Sequence, residues 1–321
     1  MTHAIVARKS GGPEVLELAE VDRPVPGPGQ LLIKVAAVGV NFIDTYKRSG
    51  VYKVAYPFTP GSEASGTVEE LGDGVTGFSA GDRVATAEGV RCYAGYALVD
   101  ADKALPVPGG VDDFTAAALP LQGITAHYLI NSSFKVEADH TVLLHAGAGG
   151  VGLLLIQLLK ARGAHVITTV STDDKEALAR GAGADHVLRY DGFAAKVREL
   201  TDGAGAHAVY DGVGKDTFDE SLAALRIRGT LVLFGAASGP VPPFDPQRLN
   251  AGGSLYLTRP TINHFLRDAA ERRWRSGELF AAVADGSLKV RIGARYDLAD
   301  ATSAHTDLEQ RRTTGKVILV P

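Results

Sequence analysis

A single cysteine, Cys92, stands in the 321 residues, so the chain can form no internal disulfide and no cysteine-cluster metal site. An excess of positive charge is also missing. The 33 Lys and Arg against 37 Asp and Glu leave a formal net charge of -4, with no general attraction for nucleic acid or an anionic membrane. The longest apolar run, Val151 to Leu159, falls well short of the ~20 residues that a membrane-spanning helix needs. The opening MTHAIVARKSGG has no long apolar core and reads as a first strand, not a signal peptide. With no secretion signal, the sequon Asn131-Ser132-Ser133 carries no weight. The nine histidines are scattered without an H-x-x-x-H pair, and there is no repeat or low-complexity tract. What remains is an ordinary composition, 45% apolar, which predicts a cytoplasmic α/β protein with ample core.

Against those absences stands residues 141–171, TVLLHAGAGGVGLLLIQLLKARGAHVITTVS. The run Thr141 to His145 predicts a buried strand. Gly147, Gly149 and Gly152 follow at G-x-G-x-x-G spacing, with Gly150 and Val151 between them, and Leu153 to Arg162 predicts a helix. His165 to Val170 predicts the second strand. The first glycine is expected to permit a tight turn, the second to let backbone approach a pyrophosphate, and the third to let helix pack on strand. The helix N-terminus then offers free N–H groups and a positive dipole end to phosphate.

The flanking regions differ in pattern. Before residue 100, short β-like runs recur without intervening helices (4–7, 15–21, 31–40, 65–71, 83–87 and 95–99), interrupted by one helical segment, Asn41 to Ser49. This predicts a β-barrel-like domain. Helical segments are expected at 114–119 and 123–131. Strand then alternates with helix up to Phe234, which predicts a parallel sheet with helices on both faces. The loop 235–246 ends the alternation, and SLYLT (254–258), a long helix-like segment (261–276, then 278–285) and a strand at 316–320 follow. The basic stretch Arg267 to Arg275 carries Asp268 and Glu271 between its arginines, which favours a solvated helix over a nucleic-acid face.

The chain resembles the zinc-free medium-chain dehydrogenase/reductases, and among them the quinone oxidoreductases related to zeta-crystallin. The resemblance runs over essentially the full length. It is carried by GGPEVLEL (11–18), GVNFIDTYKRSGVY (39–52), PGSEASGTVEELGDGV (60–75), AGDRV (80–84), HAGAGGVG (145–152), VYDGVG (209–214), GSLYLTRP (253–260) and GKVILVP (315–321). It implies a Rossmann doubly wound domain at 121–256, inserted in a GroES-like β-barrel catalytic domain made of 1–120 and 257–321. It also implies a homodimer and oxidation of NADPH by quinones or other conjugated carbonyls.

Zinc-dependent members of the wider family carry Cys, a His within Gly-His-Glu, and a later Cys as ligands. The matching residues here are Asn41, Ser62 (in Gly61-Ser62-Glu63) and, approximately, Gln122. None is a thiolate or imidazole, so a tetrahedral N/S zinc site is not expected, and with it goes ordinary alcohol oxidation.

At the tip of the second strand, where an NAD site carries a carboxylate, this chain has Ser171, then Thr172 and Lys175. A hydroxyl and an ammonium suit a ribose 2′-phosphate, so NADPH is expected. Asp173 and Asp174 are expected to cap the helix at Glu176. The resemblance adds Tyr190 to the phosphate site and places Phe42, Asp44, Thr125, Val213, Gly235, Ser238, Pro260 and Arg311 near the cofactor. Asn41 is expected to donate its amide to nicotinamide or substrate, and Tyr46 and Tyr52 to stack on a flat acceptor or donate a phenol proton. Asp44 has a second reading, a local hydrogen bond, and Arg311 another, an ion pair with Glu309 or Asp307. Rival readings of the whole are an NADPH-dependent enoyl or alkenal reductase, and a catalytically weak cofactor-binding, crystallin-like or RNA-binding protein.

Overall fold

A computed structural model describes residues 1–321, which divide into two compact units, 1–124 with 267–321 and 125–266. The first unit opens with β1 (Thr2–Ala7) and β2 (Leu16–Val21), an antiparallel pair. Then come β3 (Gln30–Val40), α1 (Phe42–Ser49), β4 (Glu63–Leu71), β5 (Arg83–Thr86), β6 (Tyr96–Asp100), β7 (Leu105–Pro106) and α2 (Asp113–Ala118). The Asp112 side chain caps α2 by accepting from the Thr115 amide at 3.0 Å. Next is α3 (Pro120–Tyr128), whose proline sits at the helix start where its missing N–H costs nothing. A π-turn, Leu129–Ser133, ends it, so the expected single helix 123–131 is an α-helix that begins earlier and widens at its end.

The second unit alternates β8 (Thr141–His145), α4 (Gly150–Ala161), β9 (His165–Thr169), α5 (Asp173–Gly181), β10 (His186–Leu188), α6 (Phe193–Leu200), β11 (Ala206–Asp211), α7 (Phe218–Ala223), β12 (Leu225–Leu233), α8 (Gln247–Ala251) and β13 (Tyr256–Thr258). Its six strands are parallel in the order β10-β9-β8-β11-β12-β13. This is a doubly wound sheet whose order reverses between β8 and β11, the place where such sheets bind ligands. Val142, Leu143 and Leu144 are buried on both faces, as a strand covered by helices on each side requires. The expected boundary at 256 is corrected to 266. β13 pairs with β12 and so completes the sheet edge, and Phe265 stacks on Tyr128 at 4.3 Å.

The chain then returns to the first unit through α9 (Ala269–Ala284), β14 (Ile292–Asp297), α10 (Ala301–Glu309) and β15 (Lys316–Val320). The helix expected from 261 starts at 269, because Asp268 caps it by accepting from the Glu271 amide at 2.9 Å. Its basic stretch is not simply solvated. Arg275 is buried and pairs with Glu271, and Arg272 pairs with Glu88 at 2.6 Å. β14 and α10 carry no expectation from the sequence pattern.

β3 organises this unit. Of its eleven residues the stretch Leu31 to Gly39 pairs with β4 along one edge, while the other edge is shared by β6 at Gln30–Lys34 and β15 at Val38–Val40. The core behind it gathers Ile5, Leu31, Ile33, Val38, Tyr93, Val317 and Leu319.

Candidate active site

The glycine loop runs from β8 into α4. Gly149 is the N-cap, so the amides of Gly150, Val151 and Gly152 have no acceptor within the helix and face outward as donors. The three glycines do work that differs in detail from expectation. The left-handed residue of the turn is Ala146 (φ 57°), not Gly147. Gly147 is needed because a Cβ there would lie 2.3 Å from Thr168 Oγ1 on β9. Gly152 is needed because its Cβ would lie 2.3 Å from the Ala146 carbonyl, which crosses the helix start. At Gly149 the nearest atom would be that same carbonyl at 3.1 Å, which leaves its outer side open.

At the tip of β9 the structure brings Ser171 and Lys175 together, with Nζ 3.4 Å from Oγ, both on the surface. Thr172, rather than an aspartate, caps α5. Of the two aspartates expected at the cap, Asp173 instead pairs with Arg189, and Glu176 pairs with Arg189 and Arg180 on the helix flank. Tyr190 follows Arg189 and lies beside the His145 ring, 6.1 Å between centroids. Val213, Gly235 and Ser238 also meet. The Ser238 hydroxyl donates to the Val213 carbonyl at 2.8 Å, and a Cβ on Gly235 would lie 2.5 Å from the Gly212 carbonyl.

A buried cluster beneath these loops is absent from the sequence reading. Asp211, at the end of β11, accepts from the Val213 and Gly214 amides and from the hydroxyls of Thr217 and Ser221. Because Ser221 gives its proton to Asp211, its oxygen accepts from His145 Nε2 at 2.8 Å, and His145 Nδ1 accepts from Thr169. Burial holds the His145 imidazole below its ordinary pKa, in keeping with this neutral tautomer.

In the first unit, α1 carries the residues expected to face the acceptor. Asn41 is its N-cap, and the Asn41 amide nitrogen donates to Asp44 Oδ2 at 3.0 Å. The Asn41 side chain is fully committed. Nδ2 donates to Glu63 Oε2 (2.7 Å) and the Gly39 carbonyl (3.2 Å), and Oδ1 accepts from Lys316 Nζ (2.8 Å). Lys316 and Glu63 form a fully buried ion pair, and the second Glu63 oxygen accepts from the Leu121 amide at 2.8 Å. The expectation that Asn41 offers a free amide to ligand is therefore corrected. Its donors are spent on satisfying a buried carboxylate, which is costly to leave unpaired. Gly39 makes room for this pair, since a Cβ there would lie 2.2 Å from Glu63 Oε2.

Asp44 is fully buried, which corrects its expected contact with cofactor and favours the local-bond reading. Burial raises its carboxyl to about pKa 6, and Oδ1 has no hydrogen-bond partner. Behind it runs a directional chain. Arg48 Nη1 can only donate, so His305 Nδ1 accepts it (3.1 Å) and His305 Nε2 donates to the Tyr93 oxygen (2.9 Å). The Tyr93 hydroxyl then points to Asp44 Oδ2 at 3.4 Å. Burial and the adjacent Arg48 guanidinium push His305 down to about 3.

Tyr46 and Tyr52 meet edge to face, 5.6 Å between centroids, and Phe42 lies 6.3 Å from Tyr46. Together they make an aromatic wall of which Tyr52 is exposed. Of the remaining expected residues, Thr125 and Pro260 are buried in the second unit, and Arg311 is exposed in the first with φ 58°. Glu309 pairs with Arg48 and Asp307 with Arg312.

Two family models match, an alcohol dehydrogenase GroES-like domain over residues 27–130 and a zinc-binding dehydrogenase over 150–277. The chain is 43% identical over 315 residues to a quinone oxidoreductase of Pseudomonas aeruginosa, covering 97% of each. The chain belongs to the quinone oxidoreductase family of medium-chain dehydrogenase/reductases. A 2-haloacrylate reductase of Burkholderia sp. is 40% identical, with 100% of this chain and 99% of the relative covered. A mycobacterial structure solved as a complex with NADPH superposes with a TM-score of 0.98 at 54% identity, all of both chains covered.

The matched dehydrogenase model carries zinc in its description, and the donor set of this quinone oxidoreductase family member does not fit that metal. Asn41 is tied to Lys316 and Glu63, Ser62 is an alcohol, and the one thiol, Cys92, is buried and pushed far above the ordinary range by burial. No thiolate or imidazole stands among the matching residues.

Proposed function

We propose that the chain is an NADPH-dependent quinone oxidoreductase that works without zinc. The glycine loop, packed tightly against Thr168 at Gly147 and against the Ala146 carbonyl at Gly152 and open at Gly149, fits a dinucleotide pyrophosphate. Backbone amides at the start of α4 hold the phosphates, and Ser171, Lys175 and Tyr190 take the 2′-phosphate. Bound NADPH supplies the hydride. The protein binds, orients and shields, and Tyr46 and Tyr52 offer a flat acceptor an aromatic face. The observation that carries the cofactor reading is the ammonium of Lys175 against Ser171, where an NAD site would place a carboxylate.

The first unit is the catalytic domain and the second the dinucleotide-binding domain. The protein acts as a cytoplasmic homodimer, which a solution mass measurement checks. The likeness to a 2-haloacrylate reductase favours one further reading on the same scaffold, reduction of a conjugated C=C. An acceptor screen tests both. Purified protein is to be offered 1,4-benzoquinone, 9,10-phenanthrenequinone, alkenals and 2-haloacrylate with NADPH or NADH, with and without chelator. Quinone turnover with NADPH, insensitive to chelator, is expected. Turnover of alkenals or 2-haloacrylate but no quinone overturns the leading reading, and loss of activity with chelator overturns the zinc-free one.

A further inference from the structure

Four charged side chains packed into the first unit are consumed in pairs. Lys316 meets Glu63, Arg48 meets Glu309, Arg83 meets Asp113 and Arg272 meets Glu88. Lys47 is different. It is half-buried on α1, next in sequence to Tyr46, and its Nζ donates a single hydrogen bond to Ser62 Oγ at 3.2 Å. No carboxylate pairs with it, so two of its three protons are unspent. Asp44, whose carboxyl feels its charge, is held by the Asn41 backbone amide.

The position of that ammonium gives it meaning. Ser62 stands where zinc-dependent relatives place a histidine ligand, and Asn41 where they place a cysteine. In those enzymes the metal holds the oxygen of the reacting carbonyl or alkoxide. Here the neighbouring cation Lys316 is sealed in with Glu63 and Asn41, and Lys47 is the positive group still carrying unspent donors at Ser62.

We propose that Lys47 is the electrophile of the acceptor site. Its ammonium donates to the acceptor's carbonyl oxygen and holds the negative charge that collects there on reduction. Two electrons and one proton added to a quinone leave one oxygen anionic. Lys47 holds that oxygen by a charge-assisted hydrogen bond, and a second proton, taken from water, completes the hydroquinone. The same group attracts acceptors that already carry a negative substituent, such as a sulfonate or carboxylate. This rests on the quinone oxidoreductase reading.

The test uses the full chain with Lys47→Met, which keeps the stem length, and Lys47→Arg, which keeps the charge. Two measurements are made: steady-state reduction of 1,4-benzoquinone, and calorimetric binding of anthraquinone-2-sulfonate, which needs no turnover. Lys47→Met is expected to lower kcat with the quinone on the order of a hundredfold, the lower end of the range for removal of one oxyanion donor. It is also expected to weaken sulfonate binding about tenfold, as for loss of one charged hydrogen bond, with NADPH affinity unchanged. Lys47→Arg restores most of both. Equal kcat and equal sulfonate binding in wild type and Lys47→Met overturn the proposal. A wild type that binds the sulfonate through Lys47 yet turns over no acceptor would sink the enzymatic reading instead. Should Lys47→Met fail to fold, Lys47→Gln takes its place in both measurements.

Discussion

Lys316 Nζ and Asn41 Oδ1, 275 positions apart in the chain, meet at 2.8 Å in a site closed to solvent. The last strand thereby locks the first turn of the helix that carries Tyr46 and Lys47.

Removing one member of that lock leaves a buried charge without its partner. Lys316→Met is expected to lower unfolding free energy by about 3–5 kcal/mol, and Glu63→Gln by a similar amount. The double variant should cost clearly less than the sum, because neither charge is then stranded. Urea unfolding of the four proteins measures this. Additive losses would show that the pair is not coupled.

The 2′-phosphate reading makes a selective prediction. Lys175→Ala should raise the Kd for NADPH about tenfold to a hundredfold, the worth of one charged hydrogen bond. NADH binding should not move. An unchanged preference for NADPH in fluorescence titrations would remove Lys175 from the site.

Gly152→Ala places a methyl group 2.3 Å from the Ala146 carbonyl. The loop must shift, so cofactor binding should be lost. Gly203→Ala, in a turn remote from the loop with nothing near its Cβ but with φ 84°, should lower stability by about 1 kcal/mol and leave binding intact. Thermal melts with and without NADPH separate the two effects.

Acidification should reveal two opposed groups. His305, held down to about 3, stays neutral when the unfolded chain protonates, so its contribution falls as pH drops below the ordinary histidine value. His145, lowered by burial, acts in the same direction. Asp44, raised to about 6, takes up its proton in the folded state first, so its contribution rises as pH falls from about 6 towards the ordinary carboxyl value. Asp44→Asn should therefore lose stability more steeply than wild type between about pH 6 and pH 4, at up to ~1.4 kcal/mol per pH unit for each histidine. His305→Gln should lose it less steeply. Urea midpoints at pH 6.5 and 4.5 decide, and parallel curves for all three proteins would show that neither group titrates as described.

The β8–loop–α4–β9 unit was legible in sequence because everything it needs is local: apolar runs, three glycines at fixed spacing and a breaker at Gly163. The pairing of Ser171 with Lys175 was legible for the same reason, being four residues apart on one helix start. The role of Asn41, and everything about Asp44 beyond its local bond, were not, because the partners come from afar: Glu63 on β4, Lys316 on β15, Tyr93 and His305. β14 escaped notice because its residues alternate between half-buried and exposed and carry charge, and α10 because Thr, Ser and His dilute its helical signal. Asp211 drew no reading of its own within VYDGVG (209–214), and only the fold reveals four donors converging on it.

The shared edge of β3 also sets an order of events during synthesis. The second unit is contiguous, 125–266, and has all its strands once it leaves the ribosome. The first unit is begun earlier yet finished later, for β15 and its lysine follow the second unit in the chain. Until then Glu63 and Asn41 wait for their cation, and the unit begun before the other matures after it.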